Sequence, residues 1–161
     1  MSTMAQPFGR RVRFDVPDNW WHDETYLNVP LDTWFGALRS ALDGGFSVAM
    51  GGDVSEPGHY GAQDVAFVPS FDIPREFIDQ SSREHRIVNE TTFDDHAIHC
   101  VGHLREGDEE WFLIKDSWRS SELGRHNGYY MYREDYVRLK MLTLTMHKDA
   151  VAELLAGVAS E

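Results

Sequence analysis

A single cysteine, Cys100, is all the thiol in this 161-residue chain. No intrachain disulfide can brace the fold, and such cysteine use fits a reducing compartment, so a cytoplasmic location is expected. No stretch approaches the ~20 apolar residues that cross a bilayer, and the segment from Met1 to Arg13 lacks the apolar run of a signal peptide. Neither membrane insertion nor export is expected. Basic residues are scarce. Fifteen Lys and Arg stand against 27 Asp and Glu, a formal net charge of -12. That balance repels nucleic acid and anionic membranes, and neither is expected as a partner. Gly44-Gly45 and Gly51-Gly52-Asp53 lack the spacing and the following lysine of a phosphate loop, so turn chemistry is their expected use.

What is present is the composition of a folded domain. With 42% hydrophobic and 12% aromatic residues the chain can bury a core, and its length predicts one domain over 1–161. Residues 1–30 are rich in breakers (Pro7, Gly9, Pro17, Asp18, Asn19, Asn28, Pro30) and read as an irregular, draped segment. The aromatic pairs Trp20-Trp21 and Trp34-Phe35 read as core or domain-interface anchors. From 31 to 43, Leu31, Trp34, Phe35, Leu38 and Leu42 recur at helical spacing, with Pro30 suited to the first turn and Gly44-Gly45 as the stop. A short strand follows at 46–50. Pro74 can open one short helix, and Ser81 with Glu84 has capping-box spacing for another. Strands are expected near 96–104, 110–115, 128–132 and 139–145, and a terminal helix near 148–158. Four strands in succession without intervening helices predict an α+β class with an antiparallel, partly closed sheet and flanking helices.

The chemistry concentrates in two strands. His96 heads one apolar run, and Asp116 follows the next, Trp111 to Lys115. If the two runs pair through the turn at 105–110, an imidazole and a carboxylate meet, as a general base meets its orienting partner. Trp118, two residues on, is placed to cover that hydrogen bond and exclude water from it. The competing explanation is a structural Asp-His pair beside a core tryptophan. Cys100 lies four residues along the same strand, roughly 13 Å from His96, so it cannot be that histidine's nucleophile. Its apolar neighbours Ile98 and Val101 mark it as a buried, inert thiol. His96 would point to one face of the strand and His99 and His103 to the other, so no metal site converges and no cofactor is called for.

The ordered segments Asp95-His96-Ala97, Phe112-Leu113-Ile114-Lys115-Asp116-Ser117-Trp118 and Asn127-Gly128-Tyr129-Tyr130 resemble the C-terminal half of papain-like cysteine peptidases. There a strand-heading histidine is followed by an Asn-Ser-Trp segment and then a Gly-Tyr strand. Asn28-Val29-Pro30-Leu31, Gly51-Gly52-Asp53-Val54 and the run from Val137 to Val151 resemble more closely the bleomycin hydrolase and aminopeptidase C branch, and the likeness spans about 15–155.

The resemblance implies a thiol protease that hydrolyses peptide bonds, as aminopeptidase or endopeptidase, through a thiol acyl-enzyme. In it His96 is the general base, Asp116 the orienter where the family carries asparagine, and Trp118 the shield, with the backbone near Asp95 touching substrate. Residues 1–30 would then be a crossing segment and 31–161 the His-bearing sheet domain. The family's nucleophilic cysteine and oxyanion-hole glutamine have no counterpart here. A missing N-terminal half or companion chain is therefore expected to supply them, and the chain alone, whether fragment, processed chain or subunit, is expected to be inactive. Its uncovered face should favour self-association into a homo-oligomer. The resemblance leaves two alternatives: a non-catalytic peptidase-like binding module, and a Cys-His-Asp enzyme of the transglutaminase or acyltransferase kind.

Overall fold

The computed structural model describes residues 1–17 and 19–158; Asp18 of the breaker-rich segment and the last three residues of the expected 1–161 domain lie outside it. The breaker-rich segment is more regular than expected. Strands β1 (Arg10–Val12) and β2 (Tyr26–Asn28) pair antiparallel as a small separate sheet. Asn28 ties the segment down by accepting the Thr3 N–H at 3.0 Å and donating to the carbonyls of Thr3 and Gln6 at 2.9 and 2.8 Å.

Helix α1 (Leu31–Asp43) presents Leu31, Trp34, Phe35, Leu38 and Ala41 to the main sheet. Burying each of the larger ones stabilises the fold by about 2 kcal/mol. The helix ends as the sequence requires: Gly45, at φ +80°, turns the chain so that Phe46 N–H reaches back to Ala41 O at 2.9 Å. Trp34 and Phe35 are core, but Trp20 and Trp21 are 77% and 56% exposed and pack edge-on against each other at 5.4 Å. That pair is not in the core.

The main sheet has seven strands. In chain order they are β3 (Val48–Gly52), β4 (His59–Tyr60), β5 (Val65–Ala66), β6 (His96–Glu106), β7 (Glu109–Lys115), β8 (Tyr129–Arg133) and β9 (Met141–Thr145). Their spatial order is β4-β5-β8-β7-β6-β3-β9. The sheet is mixed rather than antiparallel, because β5 runs parallel to β8. Asp64, just before β5, opens the pairing, its carbonyl accepting Met131 N–H at 2.8 Å.

Nor do the last strands follow one another directly. Helix α3 (Glu134–Lys140) lies between β8 and β9, with Glu134 and Asp135 in its first turn and Arg138 and Lys140 in its last. Those charges complement the helix dipole in a run too short to show helical periodicity. Leu139 and Lys140, expected in a strand, are helical.

Helix α2 (Gln80–Val88) is capped by Asp79 and Ser82, not by Ser81 and Glu84. Glu84 instead accepts from Thr3 Oγ1, Met4 N and Ala5 N at 2.6–3.1 Å. Arg83 of α2 is wholly buried over Trp34 and donates to four carbonyls, those of Ser2, Arg138, Met141 and Leu142. It welds the N-terminal segment to α3 and β9. Pro74 opens only a single 3-10 turn, Arg75–Phe77, and the chain closes with another such turn, Lys148–Val151, and helix α4 (Ala152–Val158).

Gly51 and Gly52 are not turn residues; both lie in β3. A Cβ at Gly52 would stand 2.6 Å from Lys140 O, and one at Gly51 would stand 2.6 Å from Thr143 Oγ1. The pair lets β9 close onto β3.

Candidate functional site

His96 is the first residue of β6, opposite Gly52 of β3. The approach to it is fixed from both sides. Asp95 N–H donates to Gly52 O at 3.1 Å, and the Asp95 carboxylate accepts Val54 N–H at 3.0 Å. In return the buried Asp53 carboxylate accepts Phe93 N–H at 3.2 Å as well as the N–H and hydroxyl of Ser55. Burial pushes the Asp53 carboxyl upward, against the lowering by these hydrogen bonds. Asp95 thus uses both its N–H and its carboxylate to hold the head of β6.

Asp116 follows β7 directly, and its N–H extends the ladder to β8 by donating to Gly128 O at 2.8 Å. Its side chain is fully buried. Oδ1 lies 2.7 Å from His96 Nε2 and accepts Trp118 N–H at 3.0 Å, closing an Asx turn over Ser117. An ionised carboxylate can only accept, so Nε2 carries the proton of this bond and Nδ1 is left as the basic nitrogen. The His96 side chain keeps 18% of its surface exposed. The Trp118 ring stands edge-on to the imidazole, with centroids 4.8 Å apart, while remaining 43% exposed.

The loop that carries Trp118 back to β8 is pinned at both ends. Ser121 Oγ donates to Trp118 O at 2.6 Å, and Gly128 N–H donates to Ser121 O at 2.8 Å. At the loop's far side Asp64, itself at φ +56°, accepts from Arg125 N, His126 N and His126 Nδ1 at 2.6–3.0 Å. Gly124 fits only because it has no side chain; a Cβ there would lie 1.6 Å from Asp64 Oδ1. Sequence reasoning passed over Asp64, and an aspartate between a Gln and a Val carries no signal of this role.

Cys100 is fully buried, and burial pushes its thiol up to about 12. Its neutral S–H points to Gly102 O at 3.7 Å. It is chemically inert as placed. His103 departs from expectation. The register of β6 against β7 shifts between Cys100 and Gly102, so that Cys100 faces Ile114 while His103 faces Phe112. The bulge turns His103 onto the same face as His96 and Cys100. There its ring stacks on Phe112 and both nitrogens meet carboxylates, Nδ1 with Glu110 at 2.8 Å and Nε2 with Asp43 at 2.9 Å. Among the described residues no three His, Cys, Asp or Glu side chains gather closely enough to hold a metal ion, and no helix is long and apolar enough to cross a membrane.

Comparison with known proteins bears on the fold. No protein-family model and no curated protein sequence matches the chain. Its structure is similar to that of PepW from Lactobacillus rhamnosis HN001 (DR20), with a TM-score of 0.72 at 16% sequence identity over 98% of this chain. The chain spans 36% of the length of PepW. The α+β fold, with its mixed sheet, is therefore one found within a longer chain.

Proposed function

We propose that this chain is the base-bearing half of a papain-like cysteine peptidase. The observation that carries the reading is the His96–Asp116 hydrogen bond of 2.7 Å, made by a buried carboxylate and bordered by Trp118. It gives the imidazole one tautomer and one orientation, with Nδ1 available to take a proton from a thiol. The ordered resemblance of the motifs to the papain-like pattern, and a fold shared with PepW, support the same reading.

In the proposed reaction the companion's cysteine gives its proton to His96 Nδ1 and attacks the peptide carbonyl. The imidazolium then returns that proton to the leaving amine as the C–N bond breaks, and water hydrolyses the thioester with His96 again as base. Asp116 holds the Nε2 hydrogen bond throughout and stabilises the imidazolium. Trp118 limits water at the hydrogen bond, and the segment at Asp95 borders the substrate. The nucleophile comes from outside the chain, since Cys100 is buried and neutral.

A second reading, a non-catalytic peptide-binding module, is favoured by that same inert Cys100. The two separate cleanly. When the chain is assembled with its thiol-bearing half, peptide hydrolysis should appear and His96→Ala should lower kcat about a thousandfold or more. Unchanged turnover in His96→Ala, or peptide binding without hydrolysis, overturns the peptidase reading.

A further inference from the structure

Behind the candidate pair lies a polar cluster that the proposed reaction does not use. His59 of β4 faces Ala66 of β5, Ala66 faces Tyr132 of β8, and Tyr132 faces Phe112 of β7. With no more than a methyl group at Ala66, the His59 ring reaches Tyr132 edge-on at 5.7 Å and lies 4.8 Å from Tyr130. Three enclosed polar atoms have no hydrogen-bond partner among the described residues: His59 Nε2, the Tyr132 hydroxyl and the second oxygen of Asp116, Oδ2, whose charge acts on both His59 and Tyr132. Such atoms inside a native fold call for an explanation, and an enclosed water needs two to four polar partners of this kind. The neighbouring Tyr136 shows the usual outcome, its hydroxyl donating to Asp53 O at 2.9 Å.

The donor and acceptor chemistry of the three atoms is complementary. A neutral imidazole with its proton on Nε2 donates to a phenol oxygen, the phenol O–H donates onward, and a carboxylate oxygen only accepts. We propose that His59 and Tyr132 form a positioning relay in which His59 Nε2–H serves the Tyr132 oxygen and the Tyr132 O–H serves Asp116 Oδ2, enclosed water bridging any gap. With both oxygens engaged, the carboxylate cannot rotate about its Cβ–Cγ bond, and Oδ1 stays aimed at His96.

Electrostatics keep both members in the required protonation state. Burial lowers His59, with His96 acting in the same sense and Asp116 and Asp95 opposing, so the ring is neutral. Burial, together with Asp116, Tyr130 and Asp95, raises Tyr132 well above the phenol range, so it remains a hydroxyl. Tyr136 is the remaining titratable ring against His59, and burial raises it likewise.

The relay rests on the peptidase reading for its purpose but not for its readout. Proton NMR of this chain should show the His96 Nε2 proton far downfield, as a charge-assisted bond requires. In Tyr132→Phe the proton should move further downfield, because Asp116 loses its other donor and bonds His96 more strongly. His59→Phe, which keeps a ring in place, should shift it the same way by less, while the His103 ring protons stay put and report an intact fold. An unmoved His96 proton in a folded Tyr132→Phe chain overturns the relay. If that variant does not fold, the same criterion applied to His59→Phe decides. Absence of hydrolysis by the assembled protein would sink the peptidase reading and leave these shifts untouched, whereas unmoved shifts would leave the requirement for His96 standing.

Discussion

One strand, β6, carries two histidines on the same face, each bonded to carboxylate, and the two ends of the hairpin β6–β7 differ in what the ring has left. His103 gives both nitrogens to acids, Glu110 and Asp43, with Arg39 and Arg105 also near Glu110. Although partial burial lowers it, the two carboxylates outweigh that and hold His103 above the usual imidazole range. A ring with two bonded N–H groups has no lone pair to offer. His96 gives one nitrogen to one acid and keeps the other. A carboxylate beside a histidine does not by itself mark a base; the ring must also keep a nitrogen free to take a proton.

The ends also differ in what holds the acid. Glu110 sits within β7, fixed by the ladder itself. Asp116 lies beyond the strand and depends on a loop pinned at a distance by Asp64. Of the residues that support His96, Asp116 should therefore matter most. Asp116→Ala in the assembled enzyme should lower kcat about a hundredfold with little change in KM, while Asp116→Asn, whose carbonyl still accepts the His96 proton, should stay within about tenfold. Steady-state kinetics of the two variants checks this, and equal losses would remove orientation from the account.

Next in size is Gly124→Ala. The new Cβ would collide with Asp64 Oδ1, so the loop must shift or the clamp break, at a cost of about 2 kcal/mol in urea denaturation. The disturbance should reach the His96 resonances and leave those of His103 alone; shifts at both histidines would show that the two ends share one support.

The smallest effect belongs to His103. Its folded-state pKa lies above the unfolded value, so its contribution is complete below about pH 6.5 and is lost as pH rises through the folded value. Because Asp43 is solvent-exposed the contribution is discounted for screening to about 1 kcal/mol or less. Urea denaturation should find His103→Gln less stable than the parent at pH 5.5 and nearly equal to it well above neutrality. A gap that widens with pH would contradict the clamp.

The sequence made some of this contrast readable and hid the rest. His96 and Asp116 were readable because each stands at the end of a short apolar run, so their meeting followed from pairing the runs. The burial of Cys100 followed from its neighbours in the same way. The face of His103 was not readable, since a bulge at 100–102 leaves no mark in the alternation of β6 and reverses every side chain after it. The parallel pairing escaped notice because β4 and β5 have two residues each, too few for any period. Helix α3 was masked by Tyr136, Val137 and Leu139, apolar residues that fit a strand locally and are made helical by tertiary packing. Asp64 and Tyr132 act through contacts distant in sequence, about which local pattern says nothing.

The most direct measurement sets the two histidines against each other in one assembled enzyme: peptide turnover of His96→Ala beside that of His103→Ala. The account predicts a loss of about a thousandfold or more for the first and near-parental turnover for the second at a pH where both remain folded. Comparable turnover in the two variants, or a larger loss at His103, would contradict it.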